Sequence, residues 1–127
     1  MNLEKVIFAF FIVFAATLNF GFFIGDIERP ELHNIYELFA AIVVNMIATV
    51  LKFGDRTQIG AVHLSTSLVA DLQLIAAAVT WATAMHISGT GMTPDVTASV
   101  VSLSGGALLA NIISVTMLVV ETVMMRR

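Results

Sequence analysis

Residues 3–25 read LEKVIFAFFIVFAATLNFGFFIG, and the twenty residues that follow Lys5 in this stretch carry no charged side chain. A helix needs about 20 predominantly apolar residues to cross the hydrocarbon core of a bilayer. The run does not alternate polar and apolar residues over about 10 positions, as the strands of a membrane barrel do. It therefore predicts a transmembrane helix, in which the backbone groups are satisfied within the segment.

Three further stretches have the same character, and short polar breaks separate the four. Their approximate limits are residues 30–52, 59–87 and 94–125. Connections of only a few residues make neighbouring helices antiparallel. The predicted fold is thus all-α: a polytopic membrane protein in which a single transmembrane domain, residues 1–127, forms a four-helix bundle of two antiparallel hairpins.

The composition supports this class and excludes several others. Hydrophobic residues make up 58% of the chain and charged residues 12%, whereas an ordinary globular domain has roughly 25% charged residues. The net charge of −3 and the lack of a basic stripe exclude nucleic acid as a partner. The chain has no cysteine, no recognisable catalytic set and no metal-ligand spacing among its histidines. We therefore predict no enzyme activity, no cofactor and no metal site.

The distribution of basic residues predicts the orientation in the membrane. Arg29 falls on one side of the predicted topology, and five basic residues fall on the other: Lys5, Lys52, Arg56, Arg126 and Arg127. Because basic residues concentrate in cytoplasmic loops, both termini are predicted to be cytoplasmic, with the protein in the bacterial inner membrane. Tyr36 and Trp81 then fall near the outer boundary, where amphipathic rings are common.

Costly polar side chains occur at a similar depth in three of the predicted helices. Asn45, Asp71 and Asn111 lie near the middle of the second, third and fourth helices, and Gln73 is close to Asp71 in depth. An ionisable residue at the centre of a membrane is rare and is a functional candidate by default. Gln73 points about 200° away from Asp71 around the helix, so the two cannot face the same cavity.

The third helix extends this pattern. His63, Ser67 and Asp71 follow one another at four-residue spacing and form one stripe from the cytoplasmic end to the midplane. The stripe favours a path for a small cation or protons, with Asp71 as the binding site and Ser67, Asn45, Asn111 and Gln73 lining it. The only ligand would be the cation itself. The alternative is that Asp71 and the amides hydrogen-bond to one another and hold the bundle together.

Assembly is predicted from two further features. Four helices are few for a path through one chain, so we expect the path at an axis between copies. Glu37 would then ring an outer vestibule, or it is an ordinary interfacial acid. A ridge of small residues at four-residue spacing on the fourth helix allows another helix to approach closely, inside the chain or from another copy: Ala98, Ser102, Gly106, Ala110 and Ser114. We therefore predict a homo-oligomer.

Several segments carry a resemblance to a known family: NLEKVIFAFFIVFAATLNFGFFIGD, YELFAAIVVN, LKFGDRTQIGAV and SLVADLQLIAAA. Through them the whole chain resembles a family of small bacterial inner-membrane proteins of unknown function. The resemblance implies an ordered four-helix protein and no particular activity. Size and helix number are also similar to those of the small multidrug resistance exporters. Those exporters rely on a membrane-embedded glutamate in the first helix, and here that helix has no acid after Glu4.

Two functional hypotheses from different classes follow. The first is an oligomeric ion channel or transporter subunit for a small cation or protons, with the path lined by the polar residues at the midplane. The second is a structural or accessory subunit of a larger inner-membrane complex, without transport of its own. Such a subunit would bind an unknown partner membrane protein through the small-residue ridge or the loop FGDRTQ, residues 53–58.

Overall fold

The structure, a computed structural model, describes residues 3–24 and 33–125. The described part is all-helical, and its helices are α1 (Leu3–Phe23), α2 (Ile35–Lys52), α3 (Gln58–Ala82) and α4 (Pro94–Met125), with a π-helical turn, Thr83–Ile87, continuing α3. By length and composition, α1, α2, α3 with its π-helical turn, and α4 could each cross a membrane. The all-α class and four helices of membrane-spanning length are therefore confirmed.

The second helix begins later than the sequence predicted. Residues 33–34 are not helical, and α2 starts at Ile35 rather than near residue 30, so the predicted start was wrong. Asn34 is the N-cap, because its side chain accepts a hydrogen bond from the Tyr36 N–H at 2.9 Å. The predicted break at residues 26–31 and the basic residues Arg29, Arg126 and Arg127 lie outside the described residues.

Asp55 and Thr57 organise the start of α3. Thr57 Oγ1 accepts a hydrogen bond from the Gly60 N–H at 3.0 Å, and Asp55 accepts hydrogen bonds from the N–H and the hydroxyl of Thr57. The Thr57 hydrogen bonds, with a smaller contribution from Lys52, lower the pKa of Asp55 from its usual 3.8 to about 2. The carboxylate also lies against Gly60, at a place where a Cβ atom would collide with it.

The helices close into a ring around a common interior. Each helix packs against its neighbour in sequence, and α1 also packs against α4. Contacts across a pair run in opposite sequence order. Lys5 near the start of α1 pairs with Glu121 near the end of α4 at 2.5 Å, whereas Phe23 at the end of α1 lies against Gly105 in the middle of α4.

Two apolar clusters fill part of this interior. The larger joins all four helices and consists of Phe22, Leu38, Ala41, Ala70, Leu74, Ala77, Val100, Val101, Ala107 and Ala110. The smaller lies nearer the start of α1 and consists of Phe8, Ile12 and Ala48. Because lipid tails are as apolar as these side chains, close packing rather than removal from water would hold such helices together in a bilayer.

The small-residue ridge of α4 does not face one direction. Ala110 and Ser114 are buried, and Gly106 is half-buried against Gln73, whereas Ser102 is exposed. Each step of four residues turns about 400°, so such a ridge drifts by about 40° per step. Ser102 therefore does not pack inside this chain with the other three, and its packing role stays a prediction for contacts between copies.

The Asp55 cap predicts a specific dependence of stability on pH. A pKa lowered from 3.8 to about 2 on folding means that the ionised carboxylate stabilises the fold above about pH 4. This contribution is lost as the pH falls towards 2. The free energy of unfolding of Asp55→Asn in detergent should be lower than that of the wild type at about pH 6, and the two should converge near pH 2. A difference that stays constant across this range would contradict the cap.

Candidate functional site

Asp71 lies in a hydrogen-bonded cluster between α2 and α3. Asn45 Nδ2 donates to Asp71 Oδ1 at 2.6 Å and lies 3.2 Å from the carbonyl oxygen of Ser67. Thr49 Oγ1 lies 2.6 Å from Asp71 Oδ2. All three side chains are buried, Asn45 completely. We call Asn45, Thr49 and Asp71 the Asp71 cluster, in which each carboxylate oxygen has one uncharged partner.

The register of the two helices explains this cluster. Asn45 and Thr49 are four residues apart and therefore lie on the same face of α2, one turn from each other. The same spacing puts Ser67 and Asp71 on one face of α3. Because the two faces meet, one carboxylate reaches two consecutive turns of the neighbouring helix.

A line of buried polar side chains leads along α3 away from the Asp71 cluster. Ser67 and His63, one and two turns from Asp71, are both fully buried. The Ser67 hydroxyl and both ring nitrogens of His63 have no hydrogen-bond partner within the described chain. An unpaired buried polar group costs about 1–3 kcal/mol, and buried waters typically satisfy such groups. We call His63, Ser67 and Asp71 the polar line, and it is a candidate site for buried water.

The fourth helix adds another amide to the same section of the bundle. Asn111 is fully buried, and neither atom of its amide has a partner within the described residues. The Thr66–Ser114 hydrogen bond and the Gln73–Gly106 contact fix the register of α3 against α4. These two contacts bracket Asp71 on α3 and Asn111 on α4, so both residues belong to one level of the interior.

An open cavity of about 730 Å³ lies at the end of the bundle where α1 begins and α2 ends. All the lysines and arginines within residues 3–24 and 33–125 line it: Lys5, Lys52 and Arg56. Phe8 lines it as well, and the edge of the Phe8 ring contacts His63, with the ring centroids 5.1 Å apart. Lys52 Nζ lies 4.3 Å from the centroid of the same Phe8 ring. Phe8 therefore separates the cavity from His63 and the polar line.

On the far side of Asp71 the interior is mostly apolar. Leu74 and Ala77 continue the buried face of α3 and pack in the larger cluster with Leu38 and Ala41 of α2. No water-sized opening is needed to explain this packing, because these side chains are fully buried by their neighbours. The polar line thus approaches Asp71 from the cavity end only.

Gln73 and Glu37 lie apart from the Asp71 cluster. The Gln73 amide packs against Gly106 of α4, in agreement with the prediction that it faces away from Asp71. The Glu37 carboxylate packs against Gly21 of α1, and the residue is half-buried. Both glycines accommodate these side chains because a Cβ atom at either position would collide with them.

Thr49 is the site residue that the sequence analysis did not single out. A threonine inside an apolar helix is common, since its hydroxyl can bond to the carbonyl four residues earlier. The available signal was its position four residues after Asn45, on the face that meets Asp71. Within residues 3–24 and 33–125 no group of three or more His, Cys, Asp or Glu side chains is arranged to hold a metal ion.

A family of unknown function, DUF6394, matches residues 32–122. The chain belongs to this family. The DUF6394 match includes α2, α3 and most of α4, and therefore the whole Asp71 cluster, the polar line and Asn111. No curated protein and no solved structure matches the chain. DUF6394 membership confirms the predicted resemblance to an uncharacterised family and assigns no activity.

Two buried asparagines of DUF6394 offer a matched test of the site. Asn45→Leu removes the donor to Asp71 and to the Ser67 carbonyl, and hydrogen bonds to charged groups are worth about 1.5–3 kcal/mol. Asn111→Leu makes the same change where no protein partner is lost. Asn45→Leu should lower the free energy of unfolding in detergent by about 2 kcal/mol more than Asn111→Leu. Equal effects of the two substitutions would contradict the described hydrogen bonds.

Proposed function

We propose that this chain is a subunit of the bacterial inner membrane that takes up protons at Asp71 and moves them across the bilayer. One observation carries the proposal. Buried polar atoms without protein partners, on His63 and Ser67, lie between an open cavity and a buried carboxylate. Chains of Asp, Glu and His side chains inside membrane helices are typical of proton relays.

The proposed topology has two antiparallel hairpins, α1 with α2 and α3 with α4, crossing the membrane with both termini in the cytoplasm. Lys5, Lys52 and Arg56 share one end of the bundle, which supports a cytoplasmic location for the cavity. Tyr36, 79% exposed, and Trp81, which stacks edge-on against Phe39, lie towards the other end. Aromatic residues of this kind are enriched at membrane surfaces.

The geometry of the Asp71 cluster favours a proton over a metal cation. Both carboxylate oxygens already face hydrogen-bond donors, from Asn45 and Thr49. A cation such as Ca²⁺ requires 6–8 oxygen ligands, and these donors occupy the directions from which it would bind. A proton needs one oxygen and one neighbouring acceptor, which the cluster provides.

The proposed route begins in the cavity, passes Phe8 and continues through waters bound to His63 and Ser67 to Asp71. Phe8 must move aside or fluctuate for water to reach His63, since its ring contacts the imidazole. Beyond Asp71 the apolar cluster of Leu38, Ala41, Leu74 and Ala77 blocks further passage. Transport therefore requires a second conformation in which Asp71 opens to the other side.

The proposed route differs from the expected axis between copies. The Asp71 cluster and the polar line face the interior of one chain, because α2, α3 and α4 close around them. Proton uptake at Asp71 thus requires no second copy. Assembly as a homo-oligomer stays a prediction that rests on the exposed part of α4 around Ser102.

Proton flux into liposomes tests the proposal. Purified protein should acidify or alkalinise the vesicle interior under a proton gradient, and Asp71→Asn should reduce this flux at least tenfold, since a positioned proton acceptor contributes about 10²–10⁴-fold to proton transfer. Asp95→Asn is the matched control, because Asp95 is an exposed acid at the start of α4. The control variant should conduct like the wild type.

The same vesicles separate protons from other cations. Potassium, sodium and calcium flux should stay at the level of protein-free liposomes. Flux of one of these ions that Asp71→Asn changes would replace protons by that ion. Absence of any flux, in folded protein under every gradient, would overturn the proposal.

An accessory role is the second candidate, and one observation favours it. The two hydrogen bonds to Asp71 tie α2 to α3 in the middle of the bundle, as a purely structural carboxylate would. This role predicts that Asp71→Asn weakens the fold and that neither form conducts. It also predicts that the protein co-purifies with a partner membrane protein from its native membrane.

The orientation is tested by a reporter fused after Arg127. A fusion to a protein that fluoresces only in the cytoplasm should be fluorescent, because the basic residues favour cytoplasmic termini. A fusion to an enzyme active only in the periplasm should be inactive. The opposite pair of results would reverse the orientation and put the cavity on the outer side.

A further inference from the structure

The hydroxyl of Thr49 lies between two acceptors. It is 2.6 Å from Asp71 Oδ2 and 3.0 Å from the carbonyl oxygen of Asn45, one turn earlier on the same helix. A threonine hydroxyl has one hydrogen and can therefore donate to only one of these oxygens at a time. When it donates to the Asn45 carbonyl, its own lone pairs are free to accept a hydrogen bond from Asp71.

We infer that Thr49, Asp71 and the Asn45 carbonyl form a proton-binding site that satisfies its hydrogen bonds in both charge states. This inference rests on the proposed proton transport and names the residue that makes the acceptor reversible. In the ionised state, Thr49 donates to Asp71 Oδ2. In the protonated state, Asp71 donates to Thr49, and Thr49 donates to the Asn45 carbonyl.

The exchange between the two states is chemically balanced. An incoming proton forms an O–H bond with Asp71 Oδ2, and the hydrogen bond from Thr49 to that oxygen breaks. The Thr49 hydroxyl rotates about its Cβ–Oγ1 bond and donates to the Asn45 carbonyl. Release of the proton reverses both steps, and no other reactant is consumed.

Asn45 holds the other carboxylate oxygen through both states. Its Nδ2 lies 2.6 Å from Asp71 Oδ1 and 3.2 Å from the Ser67 carbonyl, so its two N–H groups have separate acceptors. Asp71 is thus fixed at Oδ1, and the proton is taken up at Oδ2. A buried polar group that finds a partner in either state avoids the cost of an unpaired donor or acceptor.

The charged and titratable groups around this site are distant in the bundle. His63 lies two turns away on α3, towards the cavity. The ion pairs Lys5–Glu121 and Lys52–Asp55 lie at the cavity end. Glu37 of α2 lies against Gly21 towards the other end. The hydrogen-bond partners of the Asp71 carboxylate are uncharged, so Thr49 is the group that responds directly to its protonation.

Substitutions at Thr49 provide a test with a close control. Thr49→Val keeps the shape and removes the hydroxyl, whereas Thr49→Ser keeps the hydroxyl. Thr49→Val should lower proton flux in liposomes about tenfold or more, and Thr49→Ser should keep it within about twofold of the wild type. Circular dichroism and gel filtration in detergent identify any variant that fails to fold.

Infrared difference spectroscopy provides a readout that a structural role would not change. The C=O stretch of protonated Asp71 is assigned as the band that disappears in Asp71→Asn when the pH is varied. In the wild type and Thr49→Ser, this band should have the frequency of a carboxyl group that donates a hydrogen bond. In Thr49→Val it should shift to a higher frequency, because the acceptor for the carboxyl proton is gone.

The outcomes separate this inference from the proposed function. Flux that Asp71→Asn removes but Thr49→Val leaves unchanged, together with an unshifted band, would overturn the role of Thr49 and leave proton transport standing. A Thr49-dependent band without flux in any form would retain the proton-binding site and overturn transport. A Thr49→Val effect on both flux and the band, absent in Thr49→Ser, supports the inference.

Discussion

In apolar surroundings every unpaired polar group is costly, and this constraint organises the whole molecule. The backbone answers it with four long helices, in which hydrogen bonds are made within each segment. The ends of the helices answer it with side chains, as Asn34 does for α2 and Thr57 for α3. The interior answers it in two ways. One half is filled with alanine, leucine and valine, and the other half contains polar side chains that are only partly satisfied.

The contrast between satisfied and unsatisfied groups is the main functional indication. Asp71 has a partner for each oxygen, whereas His63, Ser67 and Asn111 are buried with polar atoms that no protein group reaches. A carboxylate serving only to join helices would not need the neighbouring unpaired groups. Because these groups lead from the Asp71 cluster to the cavity, the arrangement favours access of water and protons over a purely structural role.

Membership of DUF6394 agrees with the overall reading and leaves the activity to physical argument. The open cavity, the Phe8 ring and the polar line form a sequence of environments from exposed to buried. The apolar cluster beyond Asp71 closes the route on the other side. Such one-sided access is what a carrier in one of two conformations requires, since a path open at both ends would dissipate a gradient.

The sequence by itself determined the four apolar helices, because length and hydropathy decide whether a segment can cross a bilayer. It also identified Asn45, Ser67, Asp71 and Asn111 as the costly groups, since charge and polarity are properties of the residue type. It missed the start of α2, where a cap at Asn34 took precedence over the proline at residue 30. Only the tertiary structure decided which helix faces meet. Thr49 entered the site and Ser102 left the packed face because rotation about each helix axis is set by contacts with neighbours, which hydropathy does not encode.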